Sequence, residues 1–172
     1  MISREICKRD TCCRHKEILL KNEQEAYTEI TYYTLSHSDP AFIHQLVVDA
    51  FAAQTAAEDD KPIKLTFALV GLYLHVEQGF TGRQVQLAHM QLARVKQQWP
   101  PFSLPEERGM ITAVDVVEAP SGPERDAMIH RWCASVWEAY SGDREIVVHL
   151  LRRNKMIFEK SILHRDKKRN ES

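Results

Sequence analysis

Residues 39–54 read DPAFIHQLVVDAFAAQ and carry a clear helical signal. Asp39 is a residue type that caps helix N-termini, and Pro40 fits the first helical position, where a missing N–H has no consequence. At about 100° per residue, the apolar side chains cluster on one half of the helix. These are Phe42, Ile43, Leu46, Val47, Ala50 and Phe51. The pattern predicts an amphipathic, core-facing helix from Asp39 to about Thr55.

Helical patterns recur on both sides of this stretch. Lys61-Pro62 opens a segment that is apolar nearly all round, which is typical of a helix at the centre of a bundle, and Gly79 is its expected stop. Further helices are predicted over Lys16–Thr34, Thr81–Gln98 and Pro123–Tyr140, with a last helix that Asp143 caps. Thr112-x-x-Asp115 indicates a short helix, and the alternation of Ile111, Ala113 and Val116 leaves a strand as the alternative.

Five or six helices with short connections predict an all-α, single-domain bundle with one irregular Pro-rich segment after Trp99. We assign residues 1–15 to a Cys-containing N-terminal segment, residues 16–160 to the helical domain and residues 161–172 to a basic tail.

Composition narrows the class of protein. The chain has 172 residues, of which 44% are apolar, and its 23 Lys and Arg nearly balance its 24 Asp and Glu. A chain of this size buries enough surface to fold without a structural metal or disulfides. We expect a cytoplasmic protein, because the N-terminus lacks the apolar run of a secretory signal and no apolar stretch is long enough to span a membrane. A net charge of −1 makes a nucleic-acid partner unlikely, although the basic tail leaves that hypothesis open.

The first residues hold a group of soft metal ligands. Cys7, Cys12, Cys13 and His15 can in principle bind a structural zinc ion. The adjacent Cys12 and Cys13 do not easily reach one ion together, and no Cys-x-x-Cys pair occurs. The alternative is a flexible terminus with free thiols.

Sequence motifs for phosphate loops, dinucleotide binding, nucleophile elbows and zinc proteases are absent. Helical bundles also build metal sites from inward His, Asp and Glu, so His44, Asp49, His75 and Glu77 form a hypothetical site for a divalent metal, with zinc the expected ion. His44 and Asp49 lie about 140° apart around a helix, so each needs partners on other helices. The alternative places His44 and Asp49 at the solvent boundary of their helix, with Glu77 in solvent.

Aromatic residues allow a similar pair of interpretations. Trp132, Trp137 and Tyr140, with Cys133, can line a small-molecule pocket, but at helical spacing they are more often core. On the core interpretation, Cys133 is a buried and unreactive thiol.

Four stretches of the sequence resemble a family of small bacterial proteins classed as a domain of unknown function. They are the run from His44 to Gln54, the helix that ends near Glu77, the Trp99-Pro100 break and the Trp-rich segment from Trp132 to Tyr140. The resemblance covers about Tyr27 to Leu150. It implies a shared helical fold and a bacterial origin, and it implies no activity.

Two features depart from that family's pattern. A Cys-Pro-x-Cys-like start is replaced here by Cys7, Cys12 and Cys13, and the His-Pro that follows the family's glutamine is replaced by Thr55-Ala56. The positions that match the pattern are the candidate ligand-binding residues: His44, Asp49, Gln54 and Glu77.

These observations favour a non-catalytic domain that binds a protein or a small molecule, or that associates with a second copy as a homodimer, and that requires no cofactor. The alternative is a metal-dependent enzyme of the hydrolase or transferase type, with its His/Asp/Glu site inside the bundle.

Overall fold

The computed structural model describes residues 22–156, which form helices and contain no strand. The all-α prediction is confirmed. The described region holds seven α-helices, one or two more than expected, and a single 3₁₀ turn, Ser141–Asp143. The helices are α1 (22–35), α2 (His44–Gln54), α3 (Pro62–Val76), α4 (Gly82–Leu92), α5 (Ala113–Glu118), α6 (Pro123–Ala139) and α7 (Arg144–Arg153). The predictions for the cysteine-containing start and the basic tail lie outside the described residues.

The helix predicted from Asp39 begins five residues later, at His44. The Asp39 carboxylate accepts hydrogen bonds from the backbone N–H groups of Ala41 (2.8 Å) and Ile43 (2.6 Å). Between them, Phe42 has a φ of 55°, which is the left-handed region. Asp39 therefore caps a turn that precedes α2, because a residue in that conformation interrupts a helix.

Capping patterns correctly predicted the start of two helices. Thr81 with Gln84 and Thr112 with Asp115 both form complete capping boxes, so the strand alternative for the second segment is wrong. Asp143, in contrast, makes no side-chain cap for α7. Its carboxylate accepts a hydrogen bond from the Ser103 hydroxyl (3.0 Å) in the Pro-rich segment instead.

α4 ends at Leu92 and not near Gln98 as predicted. The N–H groups of Arg94 and Val95 bond to carbonyls three residues back, at Gln91 and Leu92, so the last turn is tightened and the helix stops. Val95 is consequently more than a third exposed.

α3 is the central helix, as its apolar composition predicted, and it packs against α2, α4, α6 and α7. α2 lies beside it and also contacts α6.

The aromatic side chains of Trp132, Trp137 and Tyr140 are buried in this core, which confirms the core interpretation. Burial also raises the pKa of the Cys133 thiol, so it stays protonated and unreactive at neutral pH. No helix within residues 22–156 is long and apolar enough to cross a membrane.

The Pro-rich segment is fixed to the bundle by Arg108, whose guanidinium donates to the Gln54 carbonyl at the end of α2 and to the Ala56 carbonyl in the turn after it. The Tyr140 hydroxyl at the end of α6 donates to the Ala53 carbonyl (2.8 Å) and so joins α6 to α2. The Arg108 cation is favourable at the negative end of the α2 dipole. The segment therefore has a defined path across the bundle.

Candidate functional site

His44 lies at the first position of α2, where it is half-buried. Its Nδ1 is 2.9 Å from the Thr34 hydroxyl on α1. Burial lowers its pKa, because desolvation disfavours the charged ring. His44 therefore joins α1 to α2 as a neutral side chain at pH 7.

Asp49 is buried at the centre of the bundle, only 3% exposed, and not at the solvent boundary that the sequence alternative described. Its Oδ1 accepts a hydrogen bond from Gln45 (3.1 Å), while its Oδ2 has no hydrogen-bond partner in the described structure. Gly71 of α3 makes room for this carboxyl group, since a Cβ at Gly71 would lie 1.9 Å from Oδ2. Desolvation raises the pKa of Asp49 well above its usual range, which favours a protonated, uncharged carboxyl.

His89 of α4 faces the same buried carboxyl. Its Nε2 is 3.9 Å from Asp49 Oδ2, and this nitrogen also has no hydrogen-bond partner in the described structure. Burial lowers the pKa of His89 to about 4, although a hydrogen bond to the Phe67 backbone opposes that shift. At neutral pH the pair is therefore a neutral carboxyl facing a neutral imidazole, which avoids two buried charges.

Gln54 is the last residue of α2, and both its side-chain nitrogen and its side-chain oxygen form hydrogen bonds. Its Nε2 donates to the carbonyls of Ile111 (2.9 Å) and Arg108 (3.3 Å), and its Oε1 accepts from the Trp132 indole (2.8 Å). It therefore anchors the Pro-rich segment to α6.

Glu77 follows α3 and forms an ion pair instead of meeting solvent freely. Arg144 donates to both carboxylate oxygens at 2.8 to 2.9 Å, and the Trp137 indole donates to Oε1 (3.0 Å). Such a forked arginine–carboxylate contact is the strong kind of charge-assisted hydrogen bond. Glu77 therefore ties the end of α3 to α6 and α7.

The predicted ligands do not share one site. His44, Asp49 and Gln54 lie five residues apart on α2, which separates successive positions by about 7.5 Å along the helix, and each contacts different elements. His75 Nε2 pairs with His130 Nδ1 on α6, at 3.0 Å. Among the residues that the structure describes, no three His, Cys, Asp or Glu side chains are arranged to hold a metal ion. The geometry gives the four-residue metal site no support.

A cleft of about 510 Å³ lies between the Pro-rich segment and α7. We call it the Trp99 cleft. One wall is Gln98, Trp99, Pro100 and Pro101, and the other is the face of α7 formed by Glu145, Ile146, His149, Leu150 and Arg153. Trp99 is held from behind by an edge-to-face contact with Phe67, with 5.5 Å between ring centroids. The aromatic wall is therefore supported by the core.

A second cleft of about 370 Å³ lies on the other side of Pro100 and Pro101. Its walls come from the turn at 57–62, Leu65 at the start of α3, and Phe102 and Leu104. The two prolines thus separate two concave surfaces.

Two of these features, His89 and Gly71, have a signal in the sequence. His89 lies four residues after Val85 and next to Ala88, both on the predicted core face of α4, so helical periodicity places it inside. Gly71 lies in the middle of an otherwise apolar helix, where a glycine usually has a packing reason. The Trp99 cleft has no such signal, because it depends on how the Pro-rich segment lies against α7.

A family model for DUF5946, described as a family of unknown function, matches residues 13–141 of the chain. The match contains α1 to α6 and ends before α7. No curated protein and no solved structure is significantly similar to the chain. The resemblance noted in the sequence is confirmed, and the chain belongs to the DUF5946 family of proteins of unknown function.

Proposed function

We propose that the protein is a non-catalytic binding module and that its ligand is a small organic anion with a flat or extended apolar body. The observation that carries the proposal is the Trp99 cleft, which combines apolar walls with a cation that has no acidic partner.

The walls suit an apolar body. Trp99, the two prolines, Ile146 and Leu150 supply the apolar surface, and the volume of about 510 Å³ falls in the usual range for small-molecule sites. Trp99 offers a flat face for stacking, and its contact with Phe67 limits its movement. A site that is already formed loses little entropy when a ligand binds.

The charges favour an anion at one end of the cleft. At this end, Arg153 donates to the Gln97 side chain (2.5 Å) and makes no ion pair with an acid of the described residues. At the other end, Glu145 contacts Arg144 (2.8 Å), which also pairs with Glu77, so that end stays acidic. Because Gln97 is neutral, the positive charge of Arg153 is held in place and left uncompensated. Glu145 and Arg153 are eight residues apart, so the α7 wall is about 12 Å long.

The proposal of binding without catalysis rests on the apolar walls and on Arg153. The side chains that line the cleft include no Ser, Thr, Cys or Lys nucleophile, although Glu145 and His149 are residue types that also serve in acid–base catalysis. No observation favours the alternative of a metal-dependent enzyme, because no group of three metal ligands occurs in residues 22–156.

The proposal is tested by isothermal titration calorimetry of the full chain with 2-naphthoate and with its neutral analogue 2-naphthol. We expect saturable 1:1 binding that is tighter for the carboxylate. Arg153→Gln weakens carboxylate binding by about tenfold or more, the amount expected when a charged hydrogen bond is lost, and leaves naphthol binding unchanged.

Arg152→Gln is the matched control, since Arg152 is also exposed on α7 but does not line the cleft. Ile146→Glu places a negative charge on the apolar wall and abolishes binding of both compounds. Equal effects of the two arginine substitutions, or binding that Ile146→Glu does not change, would contradict the proposal.

A further inference from the structure

We propose that His75 and His130 form a second site, which binds a divalent transition metal ion such as Zn²⁺ through two imidazole nitrogens. The site lies where the end of α3 meets α6. It uses none of the residues of the Trp99 cleft and does not depend on that cleft's function.

The backbone fixes which nitrogen of His75 is available. Its Nδ1 is 2.7 Å from the Phe80 carbonyl oxygen, which can only accept a hydrogen bond, so Nδ1 carries the proton. The lone pair of the neutral ring therefore lies on Nε2. A histidine that donates one N–H to a backbone carbonyl and presents its other nitrogen is the usual arrangement of a metal ligand.

His130 places its own nitrogen beside that lone pair. His130 Nδ1 is 3.0 Å from His75 Nε2, and the two ring planes are inclined by 28°, with centroids 5.0 Å apart. Two nitrogens bound to one tetrahedral zinc ion at 2.0–2.1 Å are about 3.4 Å apart. Chelation thus requires the two nitrogens to separate by about 0.4 Å and the rings to turn so that both lone pairs point to the ion. The proton on His130 Nδ1 leaves for solvent, and the neutral His130 ring carries its proton on Nε2 instead.

Solvent can complete the coordination. His130 is exposed and His75 is half-buried, so the pair opens to water on one side. Since the described structure brings no third His, Cys, Asp or Glu to the pair, the remaining positions on the ion are left to water. The two ligands come from different helices, so a bound ion clamps α3 to α6 and stabilises the fold by mass action.

The experiment is a zinc titration of the full-length, untagged chain at pH 7.5, followed by NMR of the imidazole nitrogens. Residue-specific signals are necessary because Cys7, Cys12, Cys13 and His15 are other possible zinc ligands. We expect the His75 and His130 signals to shift together and saturably, with a zinc-dependent rise in Tm. His130→Ala should weaken binding at His75 by about 100-fold or more, because a single ligand loses the effective concentration of the pair.

Two further variants separate metal binding from a purely structural role. His130→Gln keeps a hydrogen-bond donor for His75 Nε2 but removes the imidazole, so its Tm without zinc should equal that of the wild type while the zinc-dependent shift of the His75 signals disappears. His37→Ala removes an exposed histidine elsewhere and should leave the response intact. The proposal is overturned if zinc leaves the His75 and His130 signals unchanged, or if the His75 signals of His130→Gln still shift with zinc at wild-type affinity.

Discussion

Replacing Gly71 with alanine tests the packing of the buried carboxyl directly. In an ordinary helix, this change stabilises by about 1 kcal/mol, because alanine is the better helix former. Here the new Cβ would lie 1.9 Å from Asp49 Oδ2 and 2.6 Å from Cγ. Ordinary contacts begin at 3.4 Å, so the carboxyl group must move by about 1.5 Å inside a packed core.

Overpacking of a core by one methyl group costs about 1–3 kcal/mol, and a displacement this large belongs at the upper end. After the gain in helix propensity, we expect Gly71→Ala to lower the free energy of unfolding by about 2 kcal/mol. Urea unfolding followed by circular dichroism at pH 7 measures this change. Gly142→Ala is the matched control and should be nearly neutral, because no atom lies within 4 Å of a Cβ there.

The cause is isolated by repeating the substitution in an Asp49→Ala background. Without the carboxyl group there is no clash, so Gly71→Ala should become neutral or stabilising by up to about 1 kcal/mol. The two substitutions are then strongly non-additive, as expected for residues in contact. An additive result, or a stabilising Gly71→Ala in the wild type, would refute the reasoning.

Three more predictions concern the other polar contacts. Glu77→Ala should lower the free energy of unfolding by about 2 kcal/mol in the same urea assay, and Glu77→Gln by less, because glutamine still accepts from the Trp137 indole. Gln54→Leu should cost about 2–3 kcal/mol, since it leaves the buried Trp132 indole N–H without an acceptor; a change below 0.5 kcal/mol contradicts this. Burial lowers the pKa of His89 from 6.5 to about 4, so between these pH values the unfolded state binds a proton at His89 and the folded state does not. The contribution of His89 to stability is therefore fully present above about pH 6.5 and falls towards pH 4, by on the order of 3 kcal/mol, while Asp49, whose pKa is raised, contributes in the opposite direction over the same range. The His89 contribution is the difference between the wild type and His89→Gln in a pH series of urea titrations, and this difference should shrink towards pH 4.

Local patterns predicted most of the helices. The capping boxes at Thr81 and Thr112 and the apolar faces of α3 and α6 depend on residues that are close in the chain, so the sequence alone contains the necessary information. The start of α2 was misplaced, because Asp39 and Pro40 fit both a helix start and a preceding turn, and the left-handed Phe42 has no signature in the residue type.

Long-range pairs were beyond such reasoning. Glu77 was matched to a family pattern, but its role depends on Arg144, which lies 67 residues away. The contact of Asp49 with Gly71 and His89 depends on the way α2, α3 and α4 pack. The Trp99 cleft depends on the position of an irregular segment, for which hydrophobic periodicity carries no information.

The most direct test of the proposed function is a titration of the ¹⁵N-labelled full chain with 2-naphthoate, followed by amide and indole NMR signals. We predict saturable shifts at the Trp99 indole and at the amides of Ile146, His149 and Arg153, on the two walls of the cleft. Shifts that instead centre on Leu65 and Phe102 in the second cleft, or no saturable shifts at all, would contradict the assignment of the Trp99 cleft as the ligand site.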